Sequence, residues 1–130
     1  MTLRRGEGPP RKGLLSGVTT ESSDPIMILM TAADVAEANR LAEMLVGAQL
    51  AACVQILPHV NSVYRWKGMI ERETEVLLIA KTARSKFEKV EREVRALHSY
   101  ETPEIIALPI TAGSAPYLKW LSASLDSQVS

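Results

Sequence analysis

The chain predicts an α+β fold of the ferredoxin-like βαββαβ sandwich type, with an extended β-hairpin and a C-terminal helix. Three observations carry this. The stretch from Leu50 to Thr82 is one long extended segment that reverses at Lys67-Gly68. Its β-branched and aromatic enrichment, with glycine at the reversal, is a hairpin signal. A segment of helical periodicity lies on each side of it. A short apolar run opens the folded part and another extended run, Glu104 to Thr111, follows the second helix. The resulting order, β-α-β-β-α-β, is the split βαβ arrangement, and the crossover rule places both helices on one face of the sheet.

Residues 1–24 are rich in Gly, Pro, Ser, Thr and Arg and hold no sustained period. They read as a flexible N-terminal extension, with residues 25–126 as the domain and 127–130 as a C-terminal tail. Leu14-Leu15 is no secretory core, and Glu7, Glu21 and Asp24 oppose a transit-peptide reading. Pro25 starts the fold. Ile26 to Met30 is wholly apolar, as in a central strand. Asp34 is placed to cap a helix, with Glu37 three residues on as the second half of a capping box. Val35, Ala38, Leu41, Ala42, Leu45 and Val46 then form the apolar stripe, leaving Glu37, Asn39, Arg40 and Glu43 on the solvent side. Gly47 marks the helix end.

In the hairpin, Val54, Ile56, Val60, Val63 and Tyr64 are expected to face Val76, Leu77, Leu78 and Ile79, with Pro58 breaking the first arm. Each arm exceeds the usual five or six residues or so. Edges that long invite pairing with another chain. Ser85 and Glu88 suggest a second capping box, followed by a stripe of Phe87, Val90, Val94 and Leu97 and an opposite, charged face. Pro103 forbids continuation of that helix. Pro109 makes the end of the fourth strand an edge or a bulge. Ser114 and Pro116 open a last helix in which Tyr117, Leu118, Trp120, Leu121 and Leu125 can pack.

The chain is 130 residues long, 46% apolar, with 15 basic and 15 acidic residues. This fits one domain. The balanced charge opposes nucleic acid or an anionic membrane as the main partner. There is no apolar run of about 18 residues to span a bilayer. A single cysteine excludes an internal disulfide and fits a reducing, cytoplasmic setting. One Phe, two Trp and three Tyr make a core thin in large groups, which favours burial between subunits.

Four motifs occur in order: Ala51-Ala52-Cys53-Val54, Tyr64-x-Trp66-x-Gly68, Tyr100-x-x-Pro103-Glu104, and Tyr117-Leu118-x-Trp120-Leu121. With them the stretch from about Ile26 to Leu125 resembles the CutA family of divalent-ion tolerance proteins. That resemblance implies the same fold, a homotrimer architecturally like the PII signalling proteins, and a link to metal tolerance with copper binding. Family copper sites have been attributed to sulfur and histidine positions, matched here by Cys53 and His98. Met30 stands where some relatives have a second Cys, and Leu97-His98 where some have paired histidines. No cofactor is expected to be obligatory; copper or another divalent cation is the candidate ion.

From the residues alone, no Cys-x-x-Cys or His-x-x-x-His spacing marks a tight metal site, and no nucleophile, P-loop or dinucleotide motif marks an enzyme. Cys53 in an apolar strand is otherwise a small buried hydrophobe, and His98 a helix-capping residue. His59 reads as exposed and incidental. Tyr64, Trp66, Glu75, Lys81, Tyr100, Glu101 and Glu104 are the remaining polar and aromatic candidates. In a PII-like trimer they would line an inter-subunit cleft for a small anion or metabolite, with Lys81 reading the anion. Interface packing explains the same residues. A small-molecule sensor and a scaffold for partner proteins thus stand beside the metal-tolerance reading.

Overall fold

The computed structural model describes residues 23–126. The extension expected over 1–24 lies almost wholly outside these residues, as does the tail over 127–130. Four strands and three helices follow the expected order: β1 (Pro25–Ala32), α1 (Val35–Gly47), β2 (Cys53–Trp66), β3 (Met69–Ala83), α2 (Phe87–Leu97), β4 (Ile105–Pro109) and α3 (Ala115–Ser124). The strands form one antiparallel sheet in the order β2-β3-β1-β4. The fourth strand sits at an edge, so the missing N–H of Pro109 costs little there.

Alternation along the strands divides the sheet. Ile26, Ile28, Met30, Val76, Leu78 and Ala80 point to one face and pack with Ala38, Leu41, Leu45, Val90 and Val94 from the two helices. The opposite face carries Met27, Leu29, Leu77 and Ile79, half-buried, and Leu57, Ile106 and Leu108, exposed. α3 covers only the end of the sheet, where Leu121 and Leu125 bury against Ala83 and Ala52.

The hairpin turns through Lys67 (φ 52°) and Gly68 (φ 81°). Two consecutive left-handed residues are the mirror-image turn that suits twisted strands. One feature is not what simple alternation suggests. Leu57 pairs with Leu77 but Val60 pairs with Glu75, so β2 carries one extra residue at Pro58-His59. Pro58 supplies no ladder N–H, which is where bulges are tolerated. Beyond the bulge the facing changes. Val63 pairs with Arg72 and Tyr64 with Glu71, not with the apolar run of Val76 to Ile79.

Other local expectations are corrected. Val35, Val46 and Leu97 are 43%, 44% and 44% exposed, because the sheet covers a narrower stripe than helical spacing allows. Tyr117 and Trp120 are also exposed on α3. Ser85 makes no capping bond. A short 3₁₀ turn over Arg84–Lys86 precedes α2 instead. α1 ends at Gly47, but the left-handed residue is Gln49 (φ 58°).

Candidate functional site

A cavity of about 650 Å³ opens beside the root of the hairpin. β1 contributes Thr31, β3 contributes Glu73 and Glu75, and β2 contributes Ser62, Tyr64 and Trp66. The bulge explains the last three. Val60 pairs with Glu75 and Ser62 with Glu73, so the even-numbered residues of β2 now share the face of Glu73 and Glu75. Without the extra residue, Tyr64 and Trp66 would point away. The loop between α2 and β4 closes the cavity with Tyr100, Glu101, Thr102 and Glu104.

That loop is held by a buried polar chain. Glu37 is 3% exposed, contrary to the solvent-side placement expected from α1. Its N–H donates to Asp34 Oδ1 (2.8 Å), the expected cap. Its carboxylate accepts from Ala33 N–H (2.9 Å) and from Ser99 N–H (2.6 Å), tying α1 to the end of α2. Burial pushes the Glu37 carboxyl up, but these amide bonds outweigh it, with His98 adding whenever its ring is protonated. The net position is below the ordinary value of 4.5.

The His98 side chain is fully buried. Its Nε2 donates to the Thr31 carbonyl (2.7 Å), and its Nδ1 accepts from Tyr100 N–H (3.0 Å). This pattern assigns the neutral Nε2–H form and occupies both nitrogens. Tyr100 O–H in turn donates to Glu75 Oε2 (2.9 Å), and Glu75 is 8% exposed. Burial, the bond to Glu75 and its charge push the Tyr100 phenol far above its ordinary range. Tyr64 is likewise raised, by burial first and then by Glu73 and its acidic neighbours. The field of the cavity is negative.

The structure brings together Tyr64, Trp66, Glu75, Tyr100, Glu101 and Glu104. It separates Lys81, which shares the face of Glu75 but lies beside α3. There its Nζ is 3.5 Å from Tyr117 O–H and 5.5 Å from the Tyr117 ring centroid. His98 stands behind the cavity wall, not in it. Cys53, Met30 and His98 do not converge within one chain. Met30 is fully buried on the helix-covered face, paired with Leu78, whereas Cys53 pairs with Lys81 and so points to the opposite face. Among the described residues no group of three or more His, Cys, Asp or Glu is placed to hold a metal ion. His59 is exposed. Glu73 and Thr31 escaped the sequence reading, and Glu37 entered it only as half of a capping box on the solvent side of its helix. The only signal for Glu37 was its place three residues after a capping Asp.

A split-βαβ sandwich with an elongated hairpin and an acidic, aromatic cavity at its root defines a small α+β protein with a four-stranded antiparallel sheet. The family profile described as "CutA1 divalent ion tolerance protein" matches residues 26–124, and the chain belongs to that family. It is 42% identical to the divalent-cation tolerance protein CutA of Pectobacterium atrosepticum, over 78% of this chain and 93% of the relative. It is 41% identical to a CutA of Arabidopsis thaliana named as chloroplastic, over 87% of this chain but 64% of that relative, less than two thirds of its length. The solved structure of CutA1 from Oryza sativa superposes with a TM-score of 0.78 at 39% identity, covering 82% of this chain and 97% of that one. No helix among the described residues is long and apolar enough to cross a membrane.

Proposed function

We propose that this chain serves divalent-cation tolerance as a PII-like homotrimer that binds a small molecule at the Glu75–Tyr100 cavity, a sensor and not an enzyme. The observation that carries the reading is the cavity itself. Its volume falls in the range of small-molecule sites, roughly 300–1,000 Å³, and the loop that closes it is held by hydrogen bonds from Ser99 to Glu37, from His98 to the Thr31 carbonyl and from Tyr100 to His98. Assembly is supported by the helix-free sheet face, where Leu57, Ile106 and Leu108 are 40%, 51% and 42% exposed. Contiguous apolar surface of this kind marks interaction sites. The number three comes from the family resemblance. A lone half-buried Cys53 suits the reducing cytoplasm.

Copper or another divalent ion then acts through the sensor's response. Direct chelation would need donors from more than one chain, since Cys53, Met30 and His98 are apart in each. Sedimentation tests the assembly: the wild type is expected to run as a trimer at micromolar concentration, and Ile106→Glu with Leu108→Glu to dissociate it. A stable, folded wild-type monomer would end the proposal. A metabolite screen tests the site, because a ligand that binds only the native state raises the melting temperature.

A further inference from the structure

We infer that the cavity selects a small organic ammonium ion, such as an aliphatic diamine, and not the anion that Lys81 suggested. The inference rests on the ligand-site reading above and names the chemistry of its ligand.

Four carboxylates line the cavity, those of Glu73, Glu75, Glu101 and Glu104, and no lysine or arginine is among its lining residues. Arg65 and Arg72 belong to the same hairpin, but the register places them on its other face. Lys81 is engaged at Tyr117. Glu75 is therefore a buried carboxylate whose one hydrogen-bond partner among the described residues is a neutral phenol. A buried charge without an opposite charge is costly, and a cationic ligand removes that cost.

A second feature points the same way independently of the acids. Thr31 is 7% exposed and lines the cavity on the same sheet face as Glu75. Its carbonyl is taken by His98, but its hydroxyl has no partner among the described residues. A buried hydroxyl left open toward a cavity is an unused polar contact for an occupant, such as an ammonium N–H.

The aromatic walls decide between a bare metal and an organic cation. A hard divalent ion wants several oxygens at roughly 2.0–2.6 Å, and among the described residues no group of three or more acidic, His or Cys side chains is assembled to supply them. Tyr64, Trp66 and Tyr100 instead offer ring faces, which attract ammonium groups and cover alkyl chains. The molecule already shows this affinity: Lys67 Nζ stands 5.9 Å from the centroid of the Trp66 ring. A diamine would place one ammonium against Glu75 and Thr31 and the other toward the exposed Glu101 and Glu104, its methylenes on the rings.

The test uses the full chain carrying Trp120→Phe, so that Trp66 is the single tryptophan reporter. 1,4-Diaminobutane and tetramethylammonium are titrated at fixed ionic strength, beside glutamate, citrate, a nucleotide and Mg²⁺. Expected are a saturable change in Trp66 fluorescence and a rise in melting temperature with the amines only. Glu75→Gln, which still accepts from Tyr100, should weaken diamine binding at least tenfold, and the rim variant Glu104→Gln several-fold. If an anion or Mg²⁺ gives the saturable Trp66 response and amines do not, the ammonium inference falls while the ligand site stands. If nothing in the panel or in the metabolite screen shifts fluorescence or melting, both fall. Amine binding that is indifferent to both glutamate variants also overturns the inference.

Discussion

Glu37→Gln is the perturbation that the structure makes sharpest. The Glu37 carboxylate joins two places distant in sequence, accepting from Ala33 N–H at 2.9 Å and Ser99 N–H at 2.6 Å. Glutamine keeps the shape, but one oxygen becomes an NH₂ group. One of the two amides then faces a donor and loses its partner, and the other exchanges a charged acceptor for a neutral one. A hydrogen bond to a charged group contributes about 1.5–3 kcal/mol, and a neutral one about 1 kcal/mol. The expected loss is about 2–4 kcal/mol near neutral pH. With a urea slope of about 2 kcal/mol per molar, the unfolding midpoint falls by about 1–2 M, measured at fixed protein concentration.

The pH dependence is the stricter check. The Glu37 carboxyl lies below its ordinary value of 4.5 in the folded chain. A carboxyl depressed on folding stabilises fully above its unfolded value, and that stability is lost as pH falls through the folded one. The gap between wild type and Glu37→Gln should therefore be full at pH 7 and begin to close below about pH 4.5. A variant within about 0.5 kcal/mol of wild type at pH 7 would refute the role given to Glu37, being no more than an ordinary surface change. A gap equally large at pH 7 and pH 3 would show that shape and not charge holds the two amides.

Three further outcomes follow from separate parts of the molecule. Tyr100→Phe removes the donor to Glu75 Oε2 and should cost about 1.5–3 kcal/mol by urea unfolding; pairing it with Glu75→Leu should recover most of that, and strict additivity would deny the contact. Gly68→Val should lower stability by about 1 kcal/mol or more in a thermal melt, because φ is +81° there while the space for a side chain is open; no loss would move the turn. Met30→Leu should leave Cu(I) stoichiometry unchanged, since Met30 is sealed in the core on the face away from Cys53; copper lost from that variant would make the β1 position a ligand.

Much of the fold was legible because its signals are local. The Lys67-Gly68 reversal, the Asp34 cap and the stop before Pro103 each depend on a few neighbouring residues, and the structure has all three. The width of a buried stripe is not local. Val35, Val46 and Leu97 obey helical spacing yet sit beyond the edge of what the sheet covers. Glu37 is the same lesson in polar form. Its spacing to Asp34 marks a helix start, but its burial is decided by Ser99, 62 residues away. Parity put Lys81 and Glu75 on one face correctly. It carries no distance, and six residues of strand at about 3.3 Å each are roughly 20 Å.

The candidate site depends on one break in alternation more than on any single side chain. Pro58 announces an interruption in β2, but the sequence does not say whether it adds a residue to one strand, bends both, or ends the pairing. The extra residue at Pro58-His59 turns Tyr64 and Trp66 onto the face of Glu73 and Glu75 and, in the same step, turns Arg65 away from it. Had the strands paired without it, the odd-numbered residues would have lined the cavity, and Arg65 would have met Glu75's face as an internal counter-charge. The bulge thus places aromatic rings on the carboxylates' side of the hairpin and keeps Arg65 off it, while Arg72 is kept off by its own place in the β3 alternation. That is why the cavity's charge could be read only after the register was known, and why residue types that suggested an anion site line a cavity with four carboxylates and no lysine or arginine.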